Sequence, residues 1–416
     1  MKRFISLTIC FLLIFLPVIS MSSCDSEKTD VITLYVYNWG EYISDGSEDS
    51  LDVNNAFETW YNENIGSENG TRVVVNYSTY SSNEDLYAKI TSEAVSYDVI
   101  VPSDYMVQRL INEGYLAPLN YDNIPNKENI LPEFLGDNAY YDKGNVYSVP
   151  YLYGMIGIIY NTTMVDPNDE DIGSWSLMWD EDYKGNILQF NNSRDAFGTA
   201  QYYLGVDVNQ ATEAQWNDAL SLLKKQKKIV QGYVMDEIFN KMENGSAAIA
   251  AYYAGDYLAM YEENNDLEFF YPKEGTNLYV DAMCIPKASE NKEIAEHYIN
   301  FMLSEEAAIA NAEYTYYASP NRLVVESDEY REYMSEIKED AYEKMYPSND
   351  VKATSYENLT EDKLVLLNSL WEELKSDIEI GVGIYVICGV IIALLLLLFI
   401  CNVFKKRSMK KLYENP

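Results

Sequence analysis

Apolar positions follow two alternating rhythms along the chain. Residues 31–37 (VITLYVY) form an unbroken β-branched and aromatic run, the pattern of a buried strand. Residues 51–64 then place Leu51, Val53, Ala56, Phe57 and Trp60 close to helical spacing, and 73–77 return to a strand pattern. Ser82 stands before Glu84 and Asp85 as a helix-opening cap, with Leu86, Tyr87 and Ile90 on one face. Residues 98–101 read as a third strand, and 106–112 as a helix stopped at Gly114. This β-α-β-α-β order predicts a parallel sheet with helices on both faces.

The rhythm resumes later. Residues 186–190, 247–253 and 278–285 read as strands. Residues 212–228, 235–242 and 292–312 read as helices, and two more follow at 328–345 and 360–375. At roughly 100–200 residues per domain, an α/β chain of this length predicts two lobes. No internal repeat is visible.

The two ends have different patterns. Lys2 and Arg3 precede an apolar run from Phe4 to Ile19, and Met21-Ser22-Ser23 leads into Cys24. Residues 1–23 therefore read as an export signal, and the arrangement resembles a lipoprotein cleavage site with Cys24 as the lipidated residue and 24–30 as a tether. An ordinary secretory signal with an incidental cysteine is the alternative. Residues 380–404 carry no charge, and Lys405, Lys406, Arg407, Lys410 and Lys411 follow. A run of ~20 apolar residues is long enough to cross a bilayer, and positive flanks stay inside. The expectation is a C-terminal transmembrane helix, a basic cytoplasmic tail over 405–416, and residues 24–377 at the outer face of a cytoplasmic membrane.

Composition changes this picture in two ways. The chain holds 66 acidic and 30 basic residues, a net charge of −36, and the basic ends leave the middle more negative still. Such a field repels nucleic acid and concentrates cations, although solubility alone is a competing reason for it. Of the five cysteines, Cys10 lies in the signal, Cys24 at its end, and Cys388 and Cys401 in the apolar run. Only Cys284 remains between them, which leaves no internal disulfide there.

In an open parallel sheet, ligands bind beyond the carboxyl ends of the strands. The loops there are Asn38-Trp39-Gly40-Glu41-Tyr42, Ser78-Thr79-Tyr80-Ser81-Ser82 and Pro102-Ser103-Asp104-Tyr105. In the later half they are Asn191-Asn192-Ser193-Arg194-Asp195 and Ala254-Gly255-Asp256. Aromatic rings and carboxylates recur, with Arg194 the exception. Carboxylates make charge-assisted bonds to ammonium groups, and aromatic faces attract the cation and cover a methylene stem. An anion would need converging cations or helix N-termini. A neutral sugar would also use aromatics and carboxylates, and for any single Tyr or Asp, packing or a solvated turn is the commoner role.

The search for catalytic signatures is nearly empty. His297 is the single histidine and sits in a helical stretch distant in sequence from those loops. There is no Gly-x-Ser-x-Gly elbow, His-Glu-x-x-His, Cys-x-x-Cys or phosphate loop. The acidic loop at 166–171 lacks the glycine and final glutamate of a calcium loop and reads as a solvated turn. No cofactor, metal or covalent chemistry is expected, although paired-carboxylate hydrolysis of a glycan leaves no compact signature.

Several segments carry a family resemblance: LYVYNWGEYI at 34–43, STYSSNEDLYAKI at 78–90, YDVIVPSDY at 97–105 and YSVPYLYGMIGIIYN at 147–161. Asn-Ser-Arg-Asp at 192–195, FYPKEG at 270–275, VDAMCIPK at 280–287 and ASPN at 318–321 continue the series in order. Together they closely resemble the spermidine/putrescine-binding proteins of polyamine ABC transporters. The resemblance implies an α/β, two-lobed periplasmic-binding-protein fold of type II, with lobes at 31–153 plus 280–325 and at 155–279 plus 326–375. It implies a polyamine ligand, permease subunits as partners, and no enzymatic activity.

By matched position, Trp39, Glu41 and Tyr42 are implied contacts from the first loop, and Ser103 and Tyr105 from the third. Asp195 is implied to take a terminal amine, and Asp281 an amine further along. Tyr253 and Tyr279 fall where tryptophans often sandwich the methylenes, Tyr317 is a further aromatic, and Glu372 a polar contact from the last helix. Asn192 stands where some members have a second aspartate, and Gly40 replaces a hydroxyl residue. A C-terminal span is not typical of the family. Another organic cation or a sugar in the same fold, a glycan hydrolase, and a sensor signalling through its anchor are the rival functions.

Overall fold

The structure, a computed structural model, describes residues 30–92, 95–347, 350–376 and 390–400, with 402 and 404. Its first strand, β1 (Asp30–Trp39), pairs parallel with β2 (Thr71–Tyr80) from Asp30 opposite Thr71 to Trp39 opposite Tyr80. On its other edge lies β3 (Val99–Ile100), also parallel. The helices between them begin at side-chain caps. Asp52 accepts from the Asn55 N–H at 2.9 Å to open Val53–Tyr61, and Ser82 accepts from the Asp85 N–H at 3.1 Å to open Asn83–Thr91. Helix Asp104–Glu113 ends at Gly114, whose φ of 77° is a left-handed conformation that glycine adopts without steric cost.

The remaining strands are β4 (Ser148–Asn161), β5 (Ile187–Phe190), β6 (Val230–Val234), β7 (Ile249–Tyr253), β8 (Leu267–Phe270), β9 (Thr276–Cys284) and β10 (Ala353–Thr354). Their order is β2-β1-β3-β9-β4-β7-β5-β6, with β8 on β4 and β10 on β9. Around β5, β6 and β7 form a second parallel group. The antiparallel strands β4 and β9 join the two groups. β4 pairs with β9 from Ser148 to Met155 and with β7 from Ile156 to Tyr160, so it runs through both lobes of a two-lobed fold. Pro150 sits where the β4–β9 register shifts, a place where a residue without N–H is tolerated.

The core fills both sides of these sheets. Leu34, Val36, Val73 and Val99 are buried in the first lobe, and Leu188, Ile249, Phe190 and Trp175 in the second. Burying a side chain of this size contributes about 1.5–3 kcal/mol. Helix Glu361–Ser376 turns Leu367, Leu370 and Leu374 onto a cluster containing Trp216, Leu220 and Leu223. Periodicity alone did not separate all elements. The expected helix over 292–312 is two, Lys292–Met302 and Glu305–Thr315, because Ser304 caps the second by accepting from the Ala307 N–H at 3.4 Å. Likewise 328–345 divides into Asp328–Ile337 and Ala341–Met345.

The expected transmembrane helix at 380–404 requires correction. Among the described residues no helix is long and apolar enough to cross a membrane. Of that segment, 390–400 is helical, and at about 1.5 Å per residue it reaches roughly half of a ~30 Å hydrocarbon core. Apolarity and length on paper set a potential span, whereas the continuous helix that satisfies every backbone group is a property of the structure. Signal residues 1–23, Cys24 and the basic tail at 405–416 lie outside the described residues.

Candidate ligand-binding cleft

The carboxyl ends of the parallel strands converge on one cleft, as the topology requires. Trp39 closes β1, Tyr80 closes β2, and Ser103 follows β3, while Asn192 follows β5 and Tyr253 closes β7. Their loops and strand β9 enclose about 760 Å³, including the open mouth. Eleven of the twelve residues expected at the site line it: Trp39, Glu41, Tyr42, Ser103, Tyr105, Asn192, Asp195, Tyr253, Tyr279, Asp281 and Tyr317. Glu372 does not. It is exposed on helix Glu361–Ser376, whose Leu370 and Leu374 face the core, so a residue between them points to solvent. Tyr356, which follows β10, lines the cleft as a further ring.

The charge of the lining is one-sided. Glu41, Glu84, Asp195, Asp236, Asp256 and Asp281 all contribute carboxylates, and the described lining contains no Lys, Arg or His. Arg194 is buried behind the wall, its guanidinium 4.3 Å from the centre of the Tyr356 ring and bonded to Asn209 Oδ1 at 3.2 Å. Asp195 is held from two sides, with Tyr253 donating its hydroxyl to Oδ2 at 2.7 Å and Asn192 Nδ2 donating to the same oxygen at 2.8 Å. Asn192 Oδ1 meanwhile accepts from the Asp195 N–H at 2.8 Å and caps helix Ser193–Tyr203. Asn192 thus orients Asp195 with both ends of its amide.

Asp281 lies on β9, one of the two antiparallel strands that join the parallel groups. Tyr42 donates to its Oδ2 at 2.7 Å, while Oδ1 is buried without a hydrogen-bond partner among the described residues. Burial pushes its carboxyl up to about 7 and the Asp195 charge adds to this, against the hydroxyls of Ser103 and Tyr42. Asp256 is pushed up to about 8 by burial and by the charges of Asp236 and Glu41, with Tyr317 opposing. Burial likewise raises Asp195, Glu84, Asp236 and Glu41. Behind the wall, Asp104 accepts from the Tyr140 hydroxyl and the N–H groups of Tyr105 and Val280 at 2.7 and 3.2 Å, and burial lifts it to about 7. In each case burial is the largest cause, because it disfavours the charged form.

Aromatic rings form the rest of the wall. Tyr253 meets Tyr279 edge-on with centroids 5.3 Å apart, and Tyr317 meets Tyr42 edge-on at 4.7 Å. Trp39 donates its indole N–H to the Val101 carbonyl at 3.0 Å, leaving the ring for the cleft. Two glycines permit the close packing. A Cβ on Gly255 would lie 2.3 Å from the Tyr317 ring, and one on Gly154 would lie 2.5 Å from the Tyr279 hydroxyl.

Sequence reasoning passed over Asn83, Glu84, Asp236, Asp256, Asn277 and Tyr356, which also line the cleft. Asp256 lay in a strand-end loop already singled out, and Glu84 two residues past another. Asp236 was not within reach of that rule, because β6 was not recognised as a strand. Asn277 belongs to β9 and Tyr356 follows its neighbour β10, and the pairing of those strands (Asn277 opposite Thr354) has no local signal.

Comparison with known proteins agrees with this architecture. Residues 60–336 match the family model described as bacterial extracellular solute-binding protein. The spermidine/putrescine-binding periplasmic protein of Salmonella typhimurium is 33% identical over 304 residues, covering 73% of this chain and 81% of its own. A Haemophilus influenzae protein of the same description is 30% identical over 347 residues, covering 83% and 89%. The solved structure of the spermidine/putrescine ABC transporter substrate-binding protein of Streptococcus pneumoniae is 32% identical, covers 82% of this chain and 98% of its own, and superposes with a TM-score of 0.63. This chain therefore belongs to the bacterial extracellular solute-binding protein family.

Proposed function

We propose that the protein is the extracytoplasmic binding component of an ABC importer that captures a polyamine of the putrescine and spermidine type and delivers it to membrane permease subunits. The lobes we assign are 31–153 plus 280–325 and 155–279 plus 326–375, closing on the ligand from either side of β4 and β9. One observation carries the reading: among the described residues, six carboxylates and no Lys, Arg or His line a cleft in which a buried oxygen of Asp281 lacks a partner. A linear polycation supplies what is missing. Its ammonium groups answer the carboxylates through charge-assisted bonds, and Trp39, Tyr253, Tyr279 and Tyr317 cover its methylenes. Similarity to relatives described as spermidine/putrescine-binding supports the same class and an outer, periplasmic-side location.

Isothermal titration at physiological ionic strength tests this. Putrescine or spermidine should bind one to one with micromolar or tighter affinity, and magnesium ion and a neutral disaccharide should give no saturable heat. Saturable sugar binding with no polyamine binding would transfer the fold to another solute.

A further inference from the structure

Strand β9 presents alternate residues to the cleft, so Asn277, Tyr279 and Asp281 share one face, and all three line it. Asn277 is 3% exposed and Asp281 4%, yet Asn277 Oδ1 and Asp281 Oδ1 are both without hydrogen-bond partners among the described residues. A native fold seldom leaves two buried acceptors idle on one strand face unless something else bonds to them. Between them lies the ring of Tyr279, resting over Gly154, where a side chain would collide with it.

The spacing defines what fits. Four residues of strand put the Cα atoms of Asn277 and Asp281 about 13 Å apart. Side chains four apart on one strand face stand roughly parallel, so their oxygens are separated by a similar distance, and one hydrogen bond of ~2.8 Å directed inward from each leaves roughly 7 Å between the two donors. Five bonds of about 1.5 Å in a zigzag separate the nitrogens of a 1,4-diaminobutane unit by roughly 6 Å. A three-carbon spacer is one bond shorter and reaches less well. Strand β9 packs against helix Ser193–Tyr203, which carries Asp195, and Asn277 pairs with Thr354, two residues before the cleft residue Tyr356.

We propose that Asn277 is a ligand-binding residue. On the polyamine reading above, on which this rests, its side-chain carbonyl receives the primary ammonium of an aminobutyl arm whose other nitrogen is held by Asp281, with Tyr279 covering the methylenes between. A neutral acceptor suits a cleft already lined by six carboxylates, because an ammonium has three N–H groups and needs acceptors beyond its counter-charge. This orients a triamine: the four-carbon arm lies along β9 and the three-carbon arm points to the Glu41, Asp236 and Asp256 end.

Asn277→Leu keeps the side-chain size and removes the acceptor. Titrations of wild type and variant with putrescine, spermidine and norspermidine, which has only three-carbon spacers, read the assignment. Putrescine and spermidine should each bind the variant about tenfold more weakly, and norspermidine less than twofold more weakly. The variant's melting temperature without ligand should be unchanged or higher, because an unpartnered buried carbonyl has been removed. Equal putrescine affinity in variant and wild type overturns the proposal. So does an equal loss for all three amines, and so does a fall in melting temperature with affinity unchanged, which would make Asn277 structural. Failure of the wild type to bind any of the amines would instead refute the polyamine reading itself.

Discussion

Asp281 shows how one residue can be costly to the empty protein and necessary to the loaded one. Its carboxyl is 4% exposed, faces the charge of Asp195, and has one oxygen without a partner. Breaking a buried charge pair typically costs about 2–5 kcal/mol of binding. Asp281→Asn should therefore weaken polyamine binding at least tenfold. The same change removes a buried charge whose one hydrogen bond among the described residues comes from Tyr42, so the ligand-free variant should melt at the same temperature or higher at pH 8. Calorimetric titration and thermal melts check the two halves. Unchanged affinity would remove Asp281 from the ligand's path. The identity of such residues is legible in the sequence, since strand-end position and residue type mark out Trp39, Glu41 and Ser103. The partnerless oxygens were not legible, because hydrogen-bond satisfaction depends on neighbours distant in sequence: Tyr42 and Asp281 are 239 residues apart.

At the scale of elements, the wall of the cleft depends on how closely a helix start can approach a ring. Helix Ala254–Glu263 begins beneath Tyr317, and Gly255 is its second residue. In an ordinary helix, Gly→Ala stabilises by roughly 0.5–1 kcal/mol. Here the added Cβ would stand 2.3 Å from the ring of Tyr317, which is buried and packed edge-on against Tyr42. Gly255→Ala should instead destabilise by about 1–3 kcal/mol, as overpacking does, and weaken ligand binding by displacing Tyr317. Denaturant unfolding and titration measure both effects. A stabilised variant with unaltered affinity would show that helix and ring are further apart than described. Strands β1, β2, β3, β5 and β7 were readable from alternating rhythm, and so was the helix capped by Ser82. β4 was not, because its apolar run is interrupted by Gly154 and Gly157, positions kept small by Tyr279 and Phe269 from other strands. The division of 292–312 into two helices was hidden for a related reason: Ser304 is compatible with a continuous helix until its side chain bonds the Ala307 N–H.

For the molecule as a whole, the raised carboxyls couple ligand, proton and stability. Asp104 and Asp281 lie at about 7 and Asp256 at about 8 in the folded protein, against about 4 for an unfolded aspartate. Between those values the folded state binds protons that the unfolded state has released, so stability without ligand falls as pH rises from about 4 through about 8. A polyamine keeps its ammonium charge over this range and needs the carboxylates ionised. The rise in melting temperature produced by saturating spermidine should hence be larger at pH 8 than at pH 6, and the ligand-free protein should melt higher at pH 6. Melts at both pH values, with and without spermidine, provide the check. A spermidine increment that is equal at the two pH values, or smaller at pH 8, would mean that Asp281 and Asp256 do not face the ligand.

What the sequence determined by itself was local or additive: the αβ rhythm, the acidic charge, the class of groups at strand ends, and the family through motifs in order. Each depends on residues close in the chain or on simple sums over it. The tertiary structure decided the rest. It brought Glu84, Asp236, Asp256 and Asn277 to the same wall as Asp281, and sent Glu372 to solvent because its helix turns Leu370 and Leu374 inward. It also supplied no membrane-length helix among the described residues for a C-terminal run whose hydropathy suggested one. The physical reason is common to all three. A face, a partner or a continuous helix is set by what packs against the residue, and here the packing joins strands such as β3 and β9, whose paired residues Ile100 and Cys284 are far apart in the chain.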